Sequence, residues 1–323
     1  YNIRECGVNA IEEAAYSLLL ASEYIERLMA RGLEVDSFAP RIAFFCAAHI
    51  DLFEEVAKLR AMRRIWAKLL CERYGAENER SMWFRAAIQT SALPLTAQQP
   101  LNNIARSTVQ TLAAVLAGTQ SIHTTSYDEP FALPTEESHT LSLRTQQILA
   151  YEANVVKTVD PLGGSYFVEQ MTDQLEGRIT ALMDDMRSRG GYIELFKQGW
   201  IEEQLNRSRI ENMAAMESGD HISVGVNAFR DEDEAPPDLR FFRMGREMIE
   251  GRIAYIRDYR ARRDNGAVGK AMETVRQVAA GTENLMPAII DAVEAGATLG
   301  ELCDCFREAI AYTPPSYQRG AAE

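Results

Sequence analysis

Cysteine and histidine are scarce in this chain, with five of the former and four of the latter among 323 residues. The odd count and irregular placement of Cys6, Cys46, Cys71, Cys303 and Cys305 argue against a disulfide scaffold. Cys303 and Cys305 stand two apart in a helical stretch, so their thiols point in different directions. There is no HExxH run and no Cys/His cluster, so the usual zinc-ligand spacings are missing and no metal ligand is assigned. Long apolar runs are missing too. Nothing reaches the roughly 20 apolar residues that a bilayer crossing needs, and the run Leu285–Ile290 is short and broken by Pro287. No signal peptide is legible either, and a cytoplasmic, membrane-free protein is expected. Positive charge is in deficit, 34 Lys and Arg against 47 Asp and Glu, for a net charge of −13. That excess repels a phosphate backbone, and the densest basic group, Arg260, Arg262 and Arg263, lies beside Asp258 and Asp264. Nucleic acid is excluded as a partner. The glycines form neither GxGxxG nor GxxxxGK, which weakens dinucleotide and P-loop readings.

What is present is an alternation of short apolar segments with long amphipathic ones. Ile11, Ala14, Ala15, Leu18, Leu19, Ile25 and Leu28 recur at helical spacing over residues 10–29. Gly32 and the turn Asp36–Pro40 stop that helix. The run Ile42–Ala47 reads as a strand, 51–74 as a helix, and 83–91 as a second strand. A helix over 101–118, a strand-like run at 121–125 and a helix over 141–154 follow. This is α/β construction with a parallel sheet. The polar residues Glu5, Arg41, Gln89, Gln120 and Glu129 then suggest the carboxyl-end cluster of a (β/α)8 TIM barrel, of which the chain would hold the C-terminal part. The opening Tyr1–Glu5 reads as the end of a strand already under way, so the chain is expected to be N-terminally incomplete.

After Asp160-Pro161-Leu162-Gly163-Gly164 the pattern becomes helical, with a glycine break at 190–191 and one strand-like stretch, His221–Asn227. Asp231–Pro237 reads as a loop or boundary, residues 243–310 as almost wholly helical, Pro314-Pro315 as a stop and 316–323 as a frayed tail. The expected domains are 1–165, the C-terminal half of a TIM barrel, and 166–315, a helical linker or C-terminal module.

From the residues alone the chemistry stays open. Asp128-Glu129 offers carboxylate acceptors for a diol, or a solvated turn before Pro130. Arg41 could hold a phosphate or carboxylate, or form a structural ion pair. Gln89 and Gln120 could donate to a cofactor amide or brace a strand. Trp83, Phe44, Phe45 and Tyr151 read as core, and Gly163-Gly164 as a turn.

The strings taken together say more. Tyr1-Asn2-Ile3-Arg4-Glu5-Cys6-Gly7, Pro40–Phe45, Gln89-Thr90-Ser91 and Leu95-Thr96-Ala97-Gln98 resemble successive motifs of the methylmalonyl-CoA mutase family. So do Asn102-Asn103-Ile104, Gly118–Thr124, Asp128-Glu129, Leu133-Pro134-Thr135, Arg144-Thr145-Gln146, Asp160–Tyr166, Gly281–Pro287 and Gly300–Cys303. The resemblance keeps its order over almost the whole chain. It implies adenosylcobalamin-dependent radical isomerisation of an acyl-CoA, with CoA threaded along the barrel axis. By resemblance, Tyr1 is an aromatic residue of the catalytic wall and Asn2 its neighbour at the substrate thioester. Glu5 and Gln89 face the cobalamin or its adenosyl group, Gln120 is a polar pocket residue, and Glu129 holds the adenosyl ribose. Arg41 contacts CoA, with Ala43 beside it.

The departures are as informative. Asn2 stands where the family usually places a histidine, Ala87 where a second one is common, and Ala43 where some members carry serine. Ala92-Leu93-Pro94 replaces a Gly-Trp-Ser sequence. An unusual acyl group is the preferred explanation, and a catalytically silent structural or regulatory paralogue is the alternative. The Asp-x-His-x-x-Gly sequence of a cobalamin-binding domain is absent. The resemblance therefore implies a large subunit working with a separate small cobalamin-binding subunit, and a GTPase chaperone as a further partner.

Overall fold

Asn9 starts the first long helix. Its side chain accepts from the Ile11 and Glu12 amides at 3.0 and 2.9 Å, and the Glu12 carboxylate returns to the Asn9 amide at 3.1 Å. This reciprocal cap satisfies amides that the helix itself cannot. The computed structural model describes residues 1–230 and 244–309, so Asp231–Pro237 and the stretch from Pro314 onward lie outside the described residues. The chain divides into two compact units, Tyr1–Phe242 and Arg243–Glu323.

In the first unit a one-turn helix, α1 (Asn2–Glu5), precedes the capped helix α2 (Ala10–Met29) and a short α3 (Val35–Phe38). Strand β1 (Phe44–Ala48) leads into α4 (Leu52–Lys68), started by Asp51 accepting from the Glu54 amide at 3.1 Å and closed by a π-helical turn over Leu69–Arg73. Strand β2 (Ala86–Thr90) leads into α5 (Asn102–Leu116), and β3 (Ser121–His123) into α6 (Glu136–Tyr151). Helix α6 begins five residues before its expected start, because Thr135 and Ser138 cap it reciprocally. Helices α7 (Tyr166–Ser188), α8 (Tyr192–Lys197) and α9 (Trp200–Ser218) complete the unit, with α7 laid against α2 and α4.

The strands are parallel in the order β1-β2-β3, with Cys46 opposite Ile88 and Ile88 opposite Ile122. Side chains alternate across a strand. Phe44, Cys46, Ala48, Ile88 and Thr90 are buried with Val56, Leu59, Met62 and Trp66 of α4. Burying such side chains contributes about 1.5–3 kcal/mol each for the larger apolar ones, which makes this layer the main stabilising interface.

The expected barrel is corrected by this sheet. Among the described residues it has three strands and is open, not a closed (β/α)8 barrel. Three local causes are visible. Tyr1–Glu5, read as a strand end, is the helix α1, with the Glu5 amide on the Tyr1 carbonyl at 3.0 Å. His221–Asn227 makes no strand, only a single bridge between Val224 and Ala228. At the outer edge of β1, the Ala47 amide donates to Glu13 and its carbonyl accepts from Lys58, both at 2.8 Å. Side chains there take the place of a neighbouring strand, a recognised way of closing a sheet edge.

The second unit is helical in its described part: α10 (Arg246–Arg262), α11 (Asn265–Ala279), α12 (Leu285–Glu294) and α13 (Leu299–Ala309). Val268, Val275, Ala288, Ala292, Leu302 and Cys305 form its small core. Arg263 holds Glu301 through two hydrogen bonds of 2.8 and 2.5 Å, and Glu301 also accepts from the Thr298 amide at 2.8 Å. No described helix of the chain is long and apolar enough to cross a membrane.

Candidate functional site

The sheet face opposite α4 is where polar groups collect. Its rows are Phe45, Ala87 and Ser121, then Ala47, Gln89 and His123. Phe45 is half exposed, Gln89 partly so, and Ser121 and His123 are open. Helix α1 lies over the β1 side of this face. The Tyr1 ring packs 5.1 Å from that of Phe45, and Gln89 Nε2 donates to the Tyr1 hydroxyl at 2.9 Å. Because Gln89 supplies that donor, the phenol keeps its own proton for another acceptor. Burial, then the Glu5 and Glu129 carboxylates, push the Tyr1 phenol up to about 12.

Glu5 reaches the exit of β2, where its Oε2 accepts from the Ala92 amide at 3.0 Å. Its Oε1 is buried and has no hydrogen-bond partner. Burial raises this carboxyl above its usual range, and hydrogen bonding at the strand exit only partly opposes it. Burial, followed by the neighbouring Asp128, also raises Glu129.

The loop that carries Glu129 is held by hydroxyl and amide groups of the helices behind it. Thr125 bonds Thr90 twice, amide to Oγ1 at 2.7 Å and Oγ1 to carbonyl at 2.5 Å. Ser107 donates to the Thr125 carbonyl at 3.0 Å, and Asn103 to the Tyr127 carbonyl at 2.8 Å. These bonds satisfy buried loop backbone and bring the exits of β2 and β3 together. Asp128, buried at 3% exposure, leaves its Oδ1 unpartnered.

Tyr1, Glu5, Gln89 and Glu129 thus converge at the carboxyl end of the sheet. Asn2 is exposed on α1 next to them. Arg41, Ala43 and Gln120 do not join this group. Arg41 and Ala43 precede β1 and are exposed, and among the described residues Arg41 forms no ion pair. Gln120 precedes β3, where its Oε1 accepts from the Ala86 amide at 2.8 Å and braces the start of β2. The two groups occupy opposite ends of the same strands.

Several side chains at the carboxyl end escaped the reading of the sequence. His123 ends β3, and burial followed by His139 lowers its pKa. His139 in turn opposes the rise at Glu129. His49 directly follows β1, and burial, then Arg4 and Lys58, push it down to about 3. A histidine at a strand exit was the available signal. One of the four aromatic readings holds: Phe44 is core at 8% exposure, whereas Phe45, Trp83 and Tyr151 are 50%, 50% and 79% exposed.

The ordered motifs have counterparts in known proteins. The large subunit of 2-hydroxyisobutanoyl-CoA mutase from Aquincola tertiaricarbonis is 41% identical over 305 residues, 94% of this chain and 54% of that protein. The methylmalonyl-CoA mutase of Rhizobium meliloti (strain 1021) is 37% identical over 311 residues, 96% of this chain and 43% of its own length. The methylmalonyl-CoA mutase large subunit of Porphyromonas gingivalis (strain ATCC BAA-308 / W83) is 34% identical over 311 residues, again 96% and 43%. The chain spans about half the length of the curated relatives it matches. Residues 1–312 match the methylmalonyl-CoA mutase family, and this chain belongs to it.

Proposed function

We propose that this chain is part of the large subunit of an adenosylcobalamin-dependent mutase that isomerises the carbon skeleton of an acyl-CoA, working with a separate cobalamin-binding subunit. The observation that carries the reading is the convergence of Tyr1, Glu5, Gln89 and Glu129 on one end of an open sheet face. The names of two relatives as large subunits support a multi-subunit enzyme.

The residues fit an adenosyl group. Two buried carboxylate oxygens, Glu5 Oε1 and Asp128 Oδ1, lack donors, and Glu129 is exposed beside Asp128. Ribose hydroxyls and an adenine amine are the donors such acceptors need. Among the described residues no group of three or more His, Cys, Asp and Glu is placed to hold a metal ion, and cobalt ligation is assigned to the partner. When bound, adenosylcobalamin supplies the radical chemistry.

This chain's part is to bind, orient and exclude water. Tyr1, neutral throughout the physiological range, offers a proton donor at the wall of the site. Asn2 donates a neutral hydrogen bond to the thioester carbonyl, without the cationic form a histidine would have. Arg41, exposed at the amino end of β1 and without an ion pair among the described residues, binds CoA phosphates, and Ala43 beside it leaves room for the chain. Gln120 Nε2 donates to the Gly118 carbonyl at 3.5 Å and has its second N–H left for the ligand. A five-residue strand rises about 17 Å, a span suited to an extended pantetheine arm running from Arg41 to Gln89. Ala87 in the central strand leaves a smaller, less polar floor, which favours an acyl group other than methylmalonyl.

The test reconstitutes the full-length large subunit with its cobalamin-binding partner and adenosylcobalamin, anaerobically, against methylmalonyl-, ethylmalonyl-, isobutyryl-, 2-hydroxyisobutyryl- and larger acyl-CoAs. Isomer formation is read by mass spectrometry. One isomerised substrate is the expected result. Bound cofactor and CoA without any product would overturn the reading in favour of a silent paralogue.

A further inference from the structure

A four-residue helix is too short to hold itself together, yet α1 presents both Tyr1 and Glu5. What fixes it is Arg4, which lies between them and is 6% exposed. Its guanidinium donates to the Val8 carbonyl, which closes the turn into α2, and to Glu55 Oε1 at 3.5 Å, with Glu13 Oε2 4.0 Å from its Nε. Lys58 then binds the same two carboxylates, Glu13 at 2.7 Å and Glu55 more closely still. Lys58, Glu13 and Glu55 are fully buried. This set of two cations and two buried anions, with the more exposed Glu54 carboxylate also 4.0 Å from Arg4, joins α1, α2 and α4, and its Glu13–Lys58 half also grips both backbone groups of Ala47. Ala47 is two residues from Phe45, on the same face of β1. The set therefore holds both partners of the Tyr1–Phe45 contact, Tyr1 through Arg4 and Phe45 through Ala47.

Buried ion pairs are weak evidence for stability, since apolar replacements often do as well. We infer that Arg4 and Glu55 are positioning residues: their buried ion pair aims Tyr1 at Gln89 and Glu5 at the exit of β2 from behind the site, without touching the ligand. This rests on the functional reading above, where Tyr1 stands at the wall of the site and Glu5 faces the adenosyl group. A network that served stability alone would not need to include the residue of α1 that adjoins Glu5 and lies one turn from Tyr1.

The test is the double variant Arg4→Met/Glu55→Gln in the full-length, reconstituted enzyme. It removes one charge of each sign, leaving Lys58, Glu13 and the Ala47 grip in place. The expected result is a kcat lower by roughly tenfold or more, a KM for the acyl-CoA within about twofold and a melting temperature within ~4 °C of wild type. Arg4→Lys, which keeps the charge, should recover part of the turnover. Unchanged kcat, or a kcat, KM and melting temperature that fall together, would overturn the inference. If the wild type itself binds cofactor and CoA but isomerises nothing, the functional reading fails separately. Amide exchange over residues 2–8 then decides: faster exchange confined to that segment in the double variant supports the positioning role, and equal exchange overturns it.

Discussion

Tyr1 shows how one residue's chemistry depends on its neighbours. Its phenol accepts from Gln89 and is pushed up to about 12 by burial and by the carboxylates of Glu5 and Glu129. Tyr1→Phe keeps the Phe45 packing and removes the hydroxyl. In the reconstituted enzyme we expect kcat to fall by roughly tenfold to a hundredfold, with little change in KM, as for loss of a positioned proton donor. His49 carries a pH prediction. Its folded-state pKa is depressed to about 3, so between pH 6.5 and 3 the unfolded chain binds a proton that the folded chain refuses. The contribution is therefore intact above the unfolded value and is lost as pH falls through this window. One such proton corresponds to a slope of about 1.4 kcal/mol per pH unit. Urea denaturation between pH 4 and 7 should show His49→Gln with a shallower acid loss than wild type. An unchanged slope would show that other groups dominate.

At the scale of elements, the glycine break at 190–191 was legible, but its cause was not. Glu23 of α2 accepts from the first amides of α8, Tyr192 and Ile193, and so caps that helix from a distant part of the chain. Gly191 has φ +87°, and a Cβ on it would come within 2.4 Å of Glu23 Oε1. Gly191→Ala is expected to destabilise the protein by about 1–3 kcal/mol in denaturant titration, combining backbone strain with the displaced cap. Asn9→Ala should cost about 1 kcal/mol by the same measurement, since it removes the cap of α2. Helix α2 itself was readable to its ends, because its apolar period, cap and stop all agree. Helix α1 was not. Its few residues carry no period, and the burial of Arg4 decides their conformation.

At the scale of the molecule, the ion network ties the first long helix, the edge strand and the helix behind it into one body. Lys58→Met leaves Glu13 and Glu55 facing each other, buried with only Arg4 for charge, and should destabilise the protein by about 3–5 kcal/mol. A thermal or denaturant midpoint within experimental error of wild type would contradict this account of the β1 edge. The same network occupies the outer edge of β1 at Ala47. The alternation of strands and helices specifies a parallel sheet, but it does not say what meets the outer edge of β1, and here side chains from two helices do.

The sequence by itself determined the composition class, the long helices, the three parallel strands and the ordered motifs that mark the family. Each rests on local patterns: a helical period, a cap, an apolar run, or a string of residues in order. Only the tertiary structure decided which of the marked residues meet. Strand register placed Gln89 beside Tyr1 and left Arg41 and Gln120 at the opposite end of the sheet. It also turned Phe45 toward the ligand face and buried Arg4, Glu13, Glu55 and Lys58 together. Such pairings join residues far apart in the chain. Their energies come from mutual desolvation and charge in one enclosed place, which no local stretch of sequence contains.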